Sequence, residues 1–406
     1  MTRTGARSFE LEGSAYQFLV YAGEFLRDCH RANWERESGQ GAHCRMARKV
    51  RKLLKTYNEI RPIQQRTLTR RRLLKTRITE LFDIRHPILC GAMMWLAKPE
   101  LCAAVSNAGG LGNLTAGNYG SGDELRQAIA RTKQLTDKPF CVNLTLLPSI
   151  RIGKDLHLDY FRACCEEKVS SIDVSGAPLD RYLGPDAIRQ AKDAGVRLIH
   201  KVGSVKHAMH AEEAGYDAVI AAGFEEGGHP LNEDVTTMLL TPRICQSVSI
   251  PVVTAGGIAD GRGMAAAMVL GAEGVMMASR FIATTECLAH HRVKEELVQR
   301  HENDTVMICR SIDLQMRALR NAQVEKVLEV EDRKGGLEDI IPLIAGERQS
   351  AAWQTGDVDG SPLPVGQSIG LIQDIVSCEE LLSRMMREAG EILARVQARF
   401  VGDLAT

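Results

Sequence analysis

A chain of 406 residues, 44% hydrophobic and 25% charged, has a globular composition and room for one large barrel plus an appended segment, or for two ordinary domains. Its 51 basic and 51 acidic residues cancel, so the whole molecule is not built to attract nucleic acid. No apolar run approaches the roughly 18 residues that span a bilayer, and the N-terminus lacks the apolar core of a secretory signal. Eleven scattered cysteines without a C-x-x-C pair read as reduced thiols in a cytoplasmic protein.

Residues 1–76 differ in character from the rest of the chain. They carry about ten excess positive charges, offset by an acidic remainder. Arg45, Arg48, Lys49, Arg51 and Lys52, then Arg70 to Arg72, dominate this stretch, without aromatic platforms or a helix-turn-helix pattern. A basic arm for nucleic acid or anionic lipid is one reading. The one adopted is an extension that is disordered or foreign to the native chain.

From Thr76 strands and helices alternate. Arg85 to Cys90 is a first strand, followed by Gly91, Ala92 and Met93, and Pro99 to Ala108 is a helix with proline in its first turn. Gly109 to Gly112 lead into a second strand ending near Thr115. Further strands lie at Pro139–Leu144, Ser171–Val174, Val196–Lys201, Asp217–Ala222, Ile250–Thr254 and Glu273–Met277, most with helical runs between them. Eight strand-like runs of this kind predict an α/β fold, a (β/α)8 barrel over residues 77–285. A doubly wound sheet is the runner-up, but no G-x-G-x-x-G opens a helix after the first strand. Residues 286–406 form a helical C-terminal segment packed on the barrel, with helices expected at His290–Arg300, Leu314–Asp332, Asp339–Ala345 and Glu379–Gln397.

In such a barrel chemistry sits at the C-terminal ends of the strands. The seventh ends in Gly256-Gly257 and the eighth in Ala278-Ser279, two turns whose main-chain N–H groups together predict a phosphate grip. Gly91, Ala92 and Met93 are small or flexible enough for a flat ring to lie against the backbone. Asn143 ends the third strand, His200 and Lys201 the fifth, and a glycine-rich loop with Gly228 and His229 follows the sixth. These groups suit a flavin, with Lys201 facing the edge that gains negative charge on reduction. Lys201 could equally be a Schiff-base lysine or a salt-bridged core lysine. His229 is a proton acceptor or an ordinary loop histidine. His207 and His210 lack a third ligand, so no metal site is expected.

The segments HPILCGAMMW, SNAGGLGNL, FCVNLTLL, IHKVGSVKHA, GFEEGGHP, VVTAGGIADGRG and GVMMASRF, in this order, resemble the nitronate monooxygenases, formerly called 2-nitropropane dioxygenases. The resemblance runs from about Arg77 to about Arg399 and implies FMN in the barrel. Gly91, Ala92 and Met93 would line the ring, Asn143 and Lys201 its polar edge, with Gly228 beside it. Gly256, Gly257, Ala278 and Ser279 would hold the phosphate. His229 would be the catalytic histidine, taking a proton from a nitroalkane or contacting the nitronate. Related members are NAD(P)H:quinone reductases, and flavin-type enoyl-ACP reductases stand further off. The implied partners are small molecules, either a nitronate, or NAD(P)H with a quinone. A sugar-phosphate lyase or isomerase with Lys201 as nucleophile is the rival from another class. Glu225, Glu226, Glu233 and Asp234 would put negative charge near the mouth, repelling a 2′-phosphate and favouring NADH over NADPH.

Overall fold

The structure, a computed structural model, describes residues 74–147, 152–230 and 233–400. The expected basic extension therefore lies, up to residue 73, outside the described residues. Eight strands carry the fold: β1 (Ile88–Cys90), β2 (Gly112–Thr115), β3 (Phe140–Leu146), β4 (Ser171–Gly176), β5 (Arg197–Val202), β6 (Ala218–Ala222), β7 (Val252–Ala255) and β8 (Gly274–Met277). They pair in parallel in the order β1-β8-β7-β6-β5-β4-β3-β2. The cylinder closes through Leu111, just before β2. Its N–H donates to the Ile88 carbonyl at 3.0 Å, and the Cys90 N–H donates to the Leu111 carbonyl at 2.9 Å. This is the expected (β/α)8 barrel.

Successive side chains on a strand point to opposite faces. Leu89, Leu111, Cys141, Ile199, Ile220, Val253 and Met276 point inward, and Ile78 and Phe82 join them. Val142, Val174, Leu198, Val219 and Val252 point outward beneath the helices. Ile78 and Phe82 belong to a short helix, Arg77–Phe82, that plugs the N-terminal end of the barrel. Thr76 and Thr79 cap that helix reciprocally, each side chain taking the other's N–H. Arg77 ties it to Glu273 at the start of β8. With the bottom closed, the C-terminal ends of the strands are left for chemistry.

Beyond β8 the chain departs from an all-helical reading. Leu314–Asp332 is not one helix: a strand, Met316–Leu319 (β10), pairs antiparallel with Thr305–Ile308 (β9), and the helix begins only at Ala322. Asn321 breaks the run, since its side chain accepts the Val324 N–H at 2.8 Å and so starts the helix there. A helix at Gly346–Thr355 is a further element that the periodicity did not reveal. The last helix, Cys378–Phe400, packs on Gly261–Val269, with the Gly261 N–H given to Glu388 at 2.8 Å. Among the described residues no helix is long and apolar enough to cross a membrane.

Candidate active site

At the mouth, the turn after β1 lies against the turn after β8. The Gly91 N–H donates to the Met277 carbonyl at 2.7 Å, and a Cβ on Gly91 would stand 3.2 Å from that of Ala278. Met93 is buried, its N–H held by Thr115 Oγ1 at 3.1 Å, and Ala92 is half-buried beside it. Trp95 takes a left-handed φ of 69° and donates its N–H to Asn118 Oδ1, which fixes the loop.

The inward positions of β2 to β5 make a polar wall. Asn113 and Asn143 both donate from Nδ2 to Asp173 Oδ2 at 3.1 Å, and Asn143 Oδ1 accepts from Thr145 at 2.7 Å. The expected free amide at Asn143 is thus largely spent on its neighbours. Asp173 is fully buried, and desolvation pushes its pKa up; the two asparagines and Lys201 oppose that push. Among the described residues its Oδ1, like Asn113 Oδ1, has no hydrogen-bond partner.

Lys201 completes the wall, but His200 does not share it. Strand alternation turns His200 outward, where its ring stacks on Tyr216 and its Nδ1 meets the Val174 carbonyl at 2.9 Å. Lys201 Nζ instead reaches Glu226 Oε1 at 3.0 Å and the His229 carbonyl at 3.2 Å. Other acids of this loop have partners as well. Glu225 accepts the N–H and hydroxyl of Thr237 at the start of the helix Thr237–Cys245, and Asp234 holds Arg310. Two of the four acids are thus paired with cations, Glu226 with Lys201 and Asp234 with Arg310.

His229 itself is oriented from the far side of the sequence. Its Nδ1 stands 2.9 Å from the main-chain oxygen of Gln315, and Gln315 Nε2 donates to the Pro230 carbonyl. A carbonyl oxygen can only accept, so Nδ1 carries the proton and the neutral ring presents a lone pair at Nε2. His229 is exposed, yet desolvation by the protein around it holds its pKa below the usual histidine value. The Lys201 charge adds to this, and the Gln315 carbonyl opposes it. Behind it, Gly228 and Arg317 exchange main-chain bonds of 3.0 and 2.7 Å. The buried Arg317 guanidinium forks onto the Phe224 carbonyl, touches Thr305 and lies 4.4 Å above the Phe224 ring.

Next to this loop are the ends of β7 and β8. Gly256 and Gly257 both take positive φ, 99° and 72°. Among the described residues no acceptor takes the N–H of Gly256, Gly257, Ala278 or Ser279. Ser279 Oγ accepts the Gly366 N–H at 2.9 Å, which leaves its own proton to give elsewhere. Four unspent amides and a hydroxyl at two adjacent strand ends can bind an anion.

Comparisons with known proteins give the family and the fold. The family model described as nitronate monooxygenase matches residues 75–388. The chain belongs to the nitronate monooxygenase family. It is 35% identical to a probable nitronate monooxygenase of Staphylococcus saprophyticus, over 79% of this chain and 99% of that protein. It is 33% identical to the (3aS,4S,5R,7aS)-5-hydroxy-7a-methyl-1-oxo-octahydro-1H-indene-4-carboxyl-CoA dehydrogenase of Rhodococcus jostii, over 78% and 96%. Among solved structures, FabK from Thermotoga maritima matches with a TM-score of 0.73 and 38% identity, over 80% of this chain and 99% of that one. Nitroalkane oxidase from Streptomyces ansochromogenes matches with 0.67 and 25%, over 79% and 99%.

This family member is therefore an oxidoreductase of the flavin-using kind, built on a barrel. The structure brings Asn143, Lys201, Gly228, His229 and the Gly91, Gly256 and Ser279 turns to the C-terminal end of the barrel. Asp173, Gln315, Arg317 and Gly366 were not singled out from the sequence. Only Asp173 left a signal there, a carboxylate in the middle of the strand SIDVS.

Proposed function

We propose that this chain is an FMN-dependent nitronate monooxygenase that oxidises alkyl nitronates with O2. Gly91, Ala92 and Met93 line the ring, Asn143 and Lys201 meet its polar edge with Gly228 beside it, and Gly256, Gly257, Ala278 and Ser279 take the phosphate. The residues fit the group: unspent amides await an anion at the ends of β7 and β8, and Lys201, paired with Glu226, stands at the end of β5. FMN, when bound, supplies the electron acceptance and hands the electrons on to O2.

The observation that carries the reading is the His229 tautomer. With Nδ1–H tied to Gln315, Nε2 is free to take the α-proton of a neutral nitroalkane, and the resulting imidazolium can then pair with the nitronate anion. A depressed pKa keeps that base neutral through the physiological range. We place the chain in the cytoplasm, a reading supported by nine described cysteines that are all free thiols.

A second reading is NAD(P)H:quinone reductase on the same barrel, supported by the 33% identity to a dehydrogenase of Rhodococcus jostii. Anaerobic mixing of the oxidised protein with propionate-3-nitronate, NADH or NADPH separates the two. Bleaching of the flavin band by nitronate alone is the expected result. Fast bleaching by a nucleotide, with none from nitronate, would promote the quinone reductase.

A further inference from the structure

The loop after β6 places a carboxylate where the FMN reading wants a free cation. Lys201 and Glu226 side chains are 17% and 11% exposed and 3.0 Å apart. In such a setting an ion pair is screened little by solvent. A second ammonium proton goes to the His229 carbonyl. Asp173, also buried, lies within electrostatic reach of both partners. Glu225 stands next in the chain but is committed to Thr237.

Glu226 cannot easily swing away. Its N–H donates to the Gly223 carbonyl at 3.1 Å, and the neighbouring Glu225 carbonyl accepts from Gln367 at 3.0 Å. A Cβ on Gly227 would lie 2.4 Å from Gly366 N, and one on Gly366 would lie 3.1 Å from the Glu226 carbonyl carbon. The tail is therefore pressed against the loop.

Resting on the FMN reading, we propose that Glu226 is a positioning residue that ties up the Lys201 ammonium. It thereby withholds positive charge from the N1–C2=O edge of the flavin and makes the bound FMN harder to reduce. Burial alone would favour a protonated Glu226, and Lys201 is what opposes this, so each group's charge depends on the other.

Sulfite affinity reads that charge without turnover. The sulfur lone pair forms a bond to flavin N5, and the displaced ring electrons settle as negative charge at N1–C2=O. Glu226→Gln should bind sulfite about tenfold more tightly. It should also raise the ratio of reduced to oxidised flavin about tenfold at fixed potential, a shift of ~30 mV for a two-electron couple. Glu226→Asp keeps the charge and should stay near the wild type. In a Lys201→Met background Glu226→Gln should change sulfite affinity less than about twofold, as expected when one group acts only through the other. If Glu226→Gln does not fold, Glu226→Ala carries the same expectation in a smaller side chain. A tenfold gain that persists without Lys201 would overturn the proposal, because Glu226 would then act on the flavin directly. So would FMN-loaded variants whose sulfite affinity does not move. A wild-type protein that takes up no FMN would sink the cofactor reading itself, a result the flavin spectrum shows before any sulfite is added.

Discussion

The Nδ1 of His229 is bonded to the carbonyl oxygen of Gln315, 86 positions further along the chain. That bond joins the loop after β6 to the head of β10 and decides which nitrogen of the imidazole is basic. His229→Ala should keep FMN bound and slow turnover of neutral nitroalkanes by roughly 10²–10⁴-fold, the usual worth of a positioned base. Pre-formed nitronates need no proton removed and should lose less than about tenfold. Equal losses on both substrates would remove the base role.

The same imidazole sets the pH profile. Crowding first, and the Lys201 charge second, hold its pKa below the usual histidine value. The neutral base is therefore retained as pH falls to about 6.5, and the acid limb of kcat/KM for nitroalkanes should lie below that point. Lys201→Met removes the positive neighbour and should move the limb upward. A limb that stays put, or moves down, would show that Lys201 does not act on His229.

His200 gives a separate pH effect, on stability. Buried against Tyr216, it has its pKa lowered to about 4 by desolvation. Between that value and the unfolded value near 6.5 the unfolded chain binds the extra proton, so stability rises with pH across this window. The contribution is complete above about pH 6.5 and amounts to about 3 kcal/mol over the whole window. Denaturation at about pH 7 and pH 4.5 should show the wild type losing more than His200→Leu, in which this group cannot titrate. Identical losses would mean that His200 is already protonated or open to water.

Much of the barrel was legible because buried parallel strands are written as short β-branched runs, VVTA and AVIAA among them. The positive φ of Gly256 and Gly257 was legible too, since paired glycines mark a turn at a strand end. His200 was misread although the period of two forbids it and Lys201 from facing one pocket. Glu226 and Asp234 were read as bare charge because their partners, Lys201 and Arg310, are distant in sequence. β10 was hidden inside a stretch whose residues favour helix, and the strand is held there by its pairing with β9 and by the contact of Arg317 with Gly228. Such tertiary override leaves no local pattern to read.

Arg317 tests how far the tail lobe shapes the site. Its fork on the Phe224 carbonyl, its bond to Thr305 and its place over the Phe224 ring cannot all be copied by a lysine. Arg317→Lys should destabilise the fold by about 2 kcal/mol, as expected when a buried carbonyl loses a charged donor. It should also free the Gly228–His229 loop and reduce turnover at least tenfold on nitroalkanes. Wild-type turnover in a folded Arg317→Lys protein would show that the loop holds its own shape.

The plug helix offers a test of the fold apart from the site. Phe82 is buried among the inward residues at the N-terminal end of the barrel. Phe82→Ala leaves a cavity there and should cost about 3–5 kcal/mol in chemical denaturation. FMN affinity measured well below the transition should be unchanged, because the site lies at the other mouth. A loss under about 1 kcal/mol would mean that the plug does not close the barrel.

The final prediction separates the phosphate grip from the rest of the flavin site. Ser279 Oγ accepts from Gly366 and keeps its proton to donate, while Gly256 holds a left-handed φ and no acceptor among the described residues takes its N–H. A Cβ on Gly256 would stand 2.9 Å from Thr237 Oγ1 and 3.0 Å from the Gly223 carbonyl, so Gly256→Ala must distort the turn. Ser279→Ala removes one charge-assisted hydrogen bond, worth about 1.5–3 kcal/mol, and should weaken FMN binding at least tenfold. Riboflavin carries the same ring without the phosphate, so its affinity should be nearly the same in the wild type and in Ser279→Ala. Gly256→Ala should weaken FMN in the same selective way, measured by quenching of flavin fluorescence in titrations of the apoprotein. If both variants weaken riboflavin as much as FMN, the two turns support the ring or the fold, and the phosphate lies elsewhere.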